Sequence, residues 1–196
     1  MRRGGTWVQR WRVPLGFLVA ALFIILARPR PLTLAVGGVV AVCGLLVRAW
    51  ASGHIRKNDA LAISGPYAYT RNPLYFGTFI LGLGFTVAAA GSWLLFFVLG
   101  GIFAALFLGI YLPVMRVEAS TLAQLFGEDY RRYASEVPLL FPRLTPYRRS
   151  GDDGSDDKGR APKFDLKLYL RYREYRAALG LLLGWSVLAL KAFLVG

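Results

Sequence analysis

Five apolar runs, separated by short polar or proline-rich joints, constrain this chain more than any other feature. They lie at about Val13–Ala27, Leu32–Trp50, Leu74–Ala90, Trp93–Leu112 and Ala177–Val195. Crossing a bilayer as a helix takes about 20 apolar residues, and a helix is the simplest spanning element that meets all its own backbone hydrogen bonds. The expected fold is therefore all-α, a multi-pass transmembrane protein of about five spans. Composition agrees: charged residues make up 18% and mean hydropathy is +0.46, against roughly 25% charged in soluble domains.

The net charge of +13 would suggest nucleic acid in a soluble protein. Here the arginines flank apolar runs, where they set topology and meet anionic head groups. No nucleic-acid partner is expected; the partner is the lipid bilayer. Cys43 is the sole cysteine and His54 the sole histidine, so neither an intrachain disulfide nor a cysteine- or histidine-rich metal site is expected. The N-terminal basic-then-apolar stretch has a poor cleavage site at Ala27-Arg-Pro-Arg and reads as a retained helix.

Organisation follows from the joints. Residues 1–147 are expected to form a core of four spans plus an amphipathic helix over Arg116–Val137, with Pro113 ending the fourth span. Residues 148–163, containing Ser150-Gly-Asp-Asp-Gly-Ser-Asp-Asp157, read as a polar linker. Residues 164–196 read as an interfacial segment followed by a last span. Gly180-Leu-Leu-Leu-Gly184 offers a small-residue face for helix packing. Basic residues before the first span, after the second and after the fourth share one side. The positive-inside rule makes that side cytoplasmic, in the inner membrane if the cell is bacterial.

Within this frame one stretch is out of character. Ser64-Gly-Pro-Tyr-Ala-Tyr-Thr-Arg-Asn-Pro-Leu-Tyr-Phe-Gly77 is polar and twice bent, since the residue before each proline is pushed away from helix. It joins His54, Lys57 and Glu118 on the cytoplasmic face. In the Arg116–Val137 helix, Leu122, Leu125, Phe126, Tyr130 and Tyr133 recur at helical spacing. Glu118 lies four residues before Leu122 and so on the apolar face, where a carboxylate needs a cation or strong donors. Aromatic rings plus a carboxylate favour a cationic centre; arginine or lysine meets a carboxylate. S-adenosyl-L-methionine suits this set. Anionic lipid head groups would also suit the arginines, and Tyr67, Tyr75 and Arg71 have blander readings as interface anchors.

The Gly65–Gly77 stretch, followed by Glu118-x-x-x-Leu122-x-x-x-Phe126-Gly-Glu-Asp-Tyr130-x-x-Tyr133 and Val137-Pro138, resembles the isoprenylcysteine carboxyl methyltransferase family, which is related to phospholipid N-methyltransferases. The resemblance covers about Ser52–Pro142. It implies an integral-membrane, S-adenosylmethionine-dependent methyltransferase acting on a lipid-like or isoprenylcysteine-type carboxylate. The family's cofactor-contacting Arg-His-Pro-x-Tyr segment falls on Arg71, Asn72, Pro73, Leu74 and Tyr75. The aromatic after the Gly-Pro turn falls on Tyr67, and the cofactor-binding glutamate on Glu118. The loop over the cofactor falls on Asp59, Ala60, Leu61 and Ala62, beginning near Ser52 and His54. Glu118, Arg71 and Asn72 are the implied catalytic positions. Arg116 is the nearest counterpart of a substrate-recognising arginine.

Two positions depart from the family. Asn72 stands where histidine is usual, and asparagine cannot carry a proton charge near neutral pH. Glu118-Ala119 stands where many members have paired glutamates. Three other functions remain open on sequence: a phospholipid amine N-methyltransferase, an NADPH-dependent membrane reductase, and a non-catalytic scaffold.

Overall fold

In a computed structural model, the protein is described over residues 16, 18, 21–54, 61–148 and 164–195. Every regular element among these residues is helical. Helix α1 covers 21–26; α2 is Pro31–Ser52, α3 Pro73–Ala89, α4 Trp93–Glu136, α5 Leu166–Arg171 and α6 Tyr175–Val195. A 3-10 turn occupies Gly65–Ala68. Helices α2, α4 and α6 are long and apolar enough to cross a membrane. Helix α3 is equally apolar but has 17 residues, about 25 Å of rise. Of the first expected span, residues 13–15, 17, 19 and 20 lie outside the described residues.

The prolines act unequally. Pro31 and Pro73 open α2 and α3, the first-turn position where a missing N–H costs nothing. Pro113, expected to end the fourth span, instead lies inside α4. A proline removes one N–H and crowds the carbonyl four positions earlier, yet the helix continues past Pro113. The fourth span thus runs on into the amphipathic helix without a break at Pro113. The break comes later, at Gly127, with φ 53° and ψ −125°.

The chain divides into two compact units. The first comprises residues 1–42, 80–116 and 180–196. Its core is made of small and aliphatic side chains, Ala27, Ala88, Ala89, Leu99 and Leu188, with Phe23, Leu34, Phe85, Leu95 and Trp185 packed around it. Close backbone approach is what alanine and glycine allow here. A Cβ on Gly84 would lie 2.5 Å from the Ala41 nitrogen, and one on Gly37 would lie 2.5 Å from the Gly84 carbonyl oxygen. Outward positions carry Leu32, Trp93, Phe97 and Leu183, as lipid contact requires. Lys191 donates to the carbonyls of Ile24 and Ile25 at 2.6 and 2.9 Å, meeting acceptors that the end of α1 leaves open. This unit also holds an apolar cavity of about 240 Å³ lined by Phe23, Gly82, Phe85, Phe103 and Leu188.

The second unit comprises residues 43–79 and 117–179 and collects the polar groups. Its core is aromatic: Tyr130, Tyr133 and Tyr147 with Ala68 and Val137, flanked by Leu61, Ile63, Leu122 and Phe126. Most of the expected amphipathic stripe faces this core. Leu125 is the exception and is exposed.

Candidate functional site

The second unit is built around the segment Gly65–Asn72, and a strap from Val137 to Tyr147 holds that segment. Gly65 has φ 59°, a left-handed conformation natural to glycine, and starts the 3-10 turn. The Thr70 hydroxyl, in a residue 2% exposed, donates to the Leu140 carbonyl at 2.9 Å. Arg71 N–H donates to the Pro138 carbonyl at 2.9 Å, and Arg143 and Tyr147 N–H groups donate to the Tyr69 and Ala68 carbonyls, both at 2.9 Å. The Tyr133 hydroxyl donates to the Tyr67 carbonyl at 2.7 Å. Val137-Pro138 keeps the strap extended, so its carbonyls are open to partners outside a helix.

On this frame the Tyr75 hydroxyl donates to Glu118 Oε1 at 2.9 Å, joining the first turn of α3 to α4. Tyr67 is buried, and its hydroxyl is pushed well above the usual phenol range. Burial is the main cause, followed by Tyr133 and the charges of Glu118 and Glu174, with Tyr172 adding a smaller effect. Tyr67 therefore stays a neutral phenol. Arg71 is half-buried; its Nη1 donates to the Tyr130 hydroxyl at 3.4 Å. Its Nε is buried with no acceptor among the described residues, leaving a donor for an anionic ligand group.

The other residues singled out from sequence divide by what they touch. Asn72 Nδ2 donates to the Leu139 carbonyl at 2.9 Å, so its amide is engaged in holding the strap. Pro73 is buried at the start of α3. The Leu74 carbonyl accepts from Arg48 at 3.4 Å. Ser52 is buried, and its hydroxyl donates back to Ala49 at 2.8 Å. His54 Nδ1 lies 2.8 Å from the Trp50 carbonyl. Its ring covers Gly65, where an added Cβ would lie 2.6 Å from it. Leu61 and Ala62 are half-buried; Asp59 and Ala60 lie outside the described residues. Arg116 is exposed. Two positions before Glu118 on one helix, it points away from Glu118. No group of three histidine, cysteine, aspartate or glutamate side chains gathers among the described residues.

Two residues near the site were not anticipated. Arg48 Nη2 pairs with Glu174 Oε2 at 2.7 Å, with side chains 21% and 14% exposed, and Arg48 also donates to Thr78. A lone arginine inside the apolar run Leu32–Trp50 was the available signal, because such a charge needs a partner.

The set present here fits a donor with a sulfonium centre and an amino-acid tail. Glu118, held by Tyr75, offers a carboxylate to a cation, and Arg71 Nε offers a donor to a carboxylate.

Two curated relatives are similar to the chain. The cobalt-zinc-cadmium resistance protein CzcN of Cupriavidus metallidurans is 34% identical over 147 residues, covering 70% of this chain and 64% of the relative. The nickel-cobalt-cadmium resistance protein NccN of Alcaligenes xylosoxydans xylosoxydans is 34% identical over 119 residues, covering 59% and 52%. The chain thus spans between about half and two thirds of these relatives. No solved structure matches it. A family model described as phospholipid methyltransferase matches residues 32–129, which include both the Gly65–Gly77 stretch and Glu118. By that match this integral membrane chain belongs to the phospholipid methyltransferase family.

Proposed function

We propose that the protein is an S-adenosylmethionine-dependent methyltransferase that works at the membrane and delivers the methyl group to a lipophilic acceptor of the isoprenylcysteine-carboxylate type. The observation that carries this reading is the 2.9 Å bond from Tyr75 to Glu118, which joins the two sequence blocks of the resemblance. The cofactor, when bound, supplies an already activated methyl group on a positively charged sulfur. Glu118, oriented by Tyr75, would meet that charge, and Arg71 would take the carboxylate of the amino-acid tail. Tyr67, a neutral phenol, would offer its ring to the cation. What remains for the chain is alignment and exclusion of water. Lipid-facing helices offer an acceptor lateral entry, and the basic flanks support a cytoplasmic face for the site.

A phospholipid amine is the second acceptor class, favoured by the description of the matching family. A carboxylate acceptor needs no base, whereas an amine must lose a proton, and Glu118 is an exposed carboxylate able to take it. Asn72 supplies no base in either case. Calorimetry on detergent-purified protein with S-adenosylmethionine, S-adenosylhomocysteine and NADPH tests the cofactor; binding of NADPH alone would overturn the reading. Transfer of labelled methyl to a farnesylcysteine analogue or to phosphatidylethanolamine then separates the acceptors. Methylation of a membrane component would link the chain to the metal resistance for which its two relatives are named. Growth of a deletion strain on cobalt, zinc and cadmium salts tests that link.

A further inference from the structure

The segment Phe164–Glu174 lies beyond both the family match and the motif resemblance, yet it is docked on the polar unit at three points. The Asp165 N–H donates to the Gly53 carbonyl at 3.0 Å. The Phe164 ring fills the space over Gly53, where a Cβ would come within 2.2 Å of it. The Arg48–Glu174 pair closes the third point at 2.7 Å. Between α5 and α6, Arg173 adopts φ 56°, a left-handed conformation that side-chain-bearing residues seldom take. That turn follows Tyr172 and precedes Glu174, and both of these residues act on the Tyr67 hydroxyl, as Glu118 does. Arg48 also donates to the Leu74 carbonyl and to Thr78, so the ion pair is tied to the turn of α3 that carries Tyr75.

We propose that Phe164–Glu174 forms one wall of the methyl-donor site and that Glu174, fixed by Arg48, is its second carboxylate, facing the donor's positively charged centre. This rests on the methyltransferase reading and extends it to a part of the chain outside the family motifs. Two carboxylates and the rings of Tyr67, Tyr75 and Tyr172 make an aromatic, anionic enclosure that suits a permanent cation. The wall then distinguishes the charged donor from its neutral product after transfer. S-adenosylmethionine gains from Glu174, whereas S-adenosylhomocysteine, with no charge on sulfur, gains little.

The test uses the full chain in detergent and two ligands. Calorimetry compares wild type with Glu174→Gln. The expected result is a loss of about ten-fold in affinity for S-adenosylmethionine, with S-adenosylhomocysteine changed by less than about two-fold, in line with the loss of one nearby charge. An equal loss for both ligands, or no loss for either, overturns the proposal. Because Glu174→Gln leaves Arg48 unpaired and risks misfolding, hydrogen exchange on the wild type gives a second reading. Added S-adenosylhomocysteine should slow exchange across 164–176. Binding without that slowing also overturns the proposal. Wild-type protein that binds neither ligand overturns the methyltransferase reading itself, and the proposal falls with it.

Discussion

Tyr75 and Glu118 are 43 residues apart in sequence, and their side chains meet at 2.9 Å. Glu118 remains exposed, so the bond fixes the carboxylate's direction without hiding it from a ligand. Tyr75→Phe should therefore weaken S-adenosylmethionine binding by about two- to ten-fold, the net worth of one solvent-exposed hydrogen bond. Glu118→Ala should weaken it more, because the carboxylate is lost as well. Calorimetry on the two variants checks the order; Tyr75→Phe weaker than Glu118→Ala would contradict it.

The strap predicts a stability effect. Thr70 is buried, and its hydroxyl donates to Leu140 and accepts from the Asn72 N–H. Thr70→Val keeps the shape and leaves both groups unsatisfied, at a cost of about 1–3 kcal/mol. A lower thermal midpoint in detergent is the expected readout. An unchanged midpoint would mean that water replaces the hydroxyl.

Close backbone contact predicts a sharp contrast between glycines. A Cβ at Gly84 would lie 2.5 Å from the Ala41 nitrogen and 2.7 Å from the Gly37 carbonyl oxygen, whereas one at Gly101 meets nothing within 4 Å. Gly84→Ala should destabilise by about 1–3 kcal/mol through overpacking. Gly101→Ala should be neutral or slightly stabilising, by its helix propensity. The two can be compared by thermal unfolding of the purified proteins.

Alkaline pH should act through Tyr67. Its phenol is held above the ordinary value of about 10, chiefly by burial and then by Tyr133, Glu118, Glu174 and Tyr172. Above pH 10 the unfolded chain releases a proton that the folded chain keeps, so the folded state binds more protons there. Its contribution is fully present below about pH 10 and falls as pH rises further. Tyr67→Phe removes this titration, and the decline of the thermal midpoint between pH 10 and 11 should become shallower. A decline equally steep in the variant would assign it to other groups.

Much of this arrangement was legible because it is local. Gly65-Pro66 predicted a bend, and Gly65 has φ 59°; Pro73 marked a boundary and opens α3. The position of Glu118 on an apolar helix face called for a cation or strong donors, and the Tyr75 hydroxyl donates to it. What could not be read depends on distant or permissive contacts. Pro113 lies inside α4 rather than at its end, which its residue type alone does not reveal. Ser52 and His54 bond to carbonyls of their own helix, which their residue types alone do not reveal. The Arg48–Glu174 pair spans 126 residues, and no periodicity connects the two positions.

The break at Gly127 carries a consequence about handedness rather than size. A side chain there would meet nothing within 4 Å, so space alone excludes no substituent. The angles φ 53° and ψ −125° mirror an extended conformation that ordinary residues occupy freely. The joint is thus closed to L-alanine by chirality alone. A D-alanine placed at position 127 by semisynthesis should fit without strain and stiffen the bend that glycine merely permits.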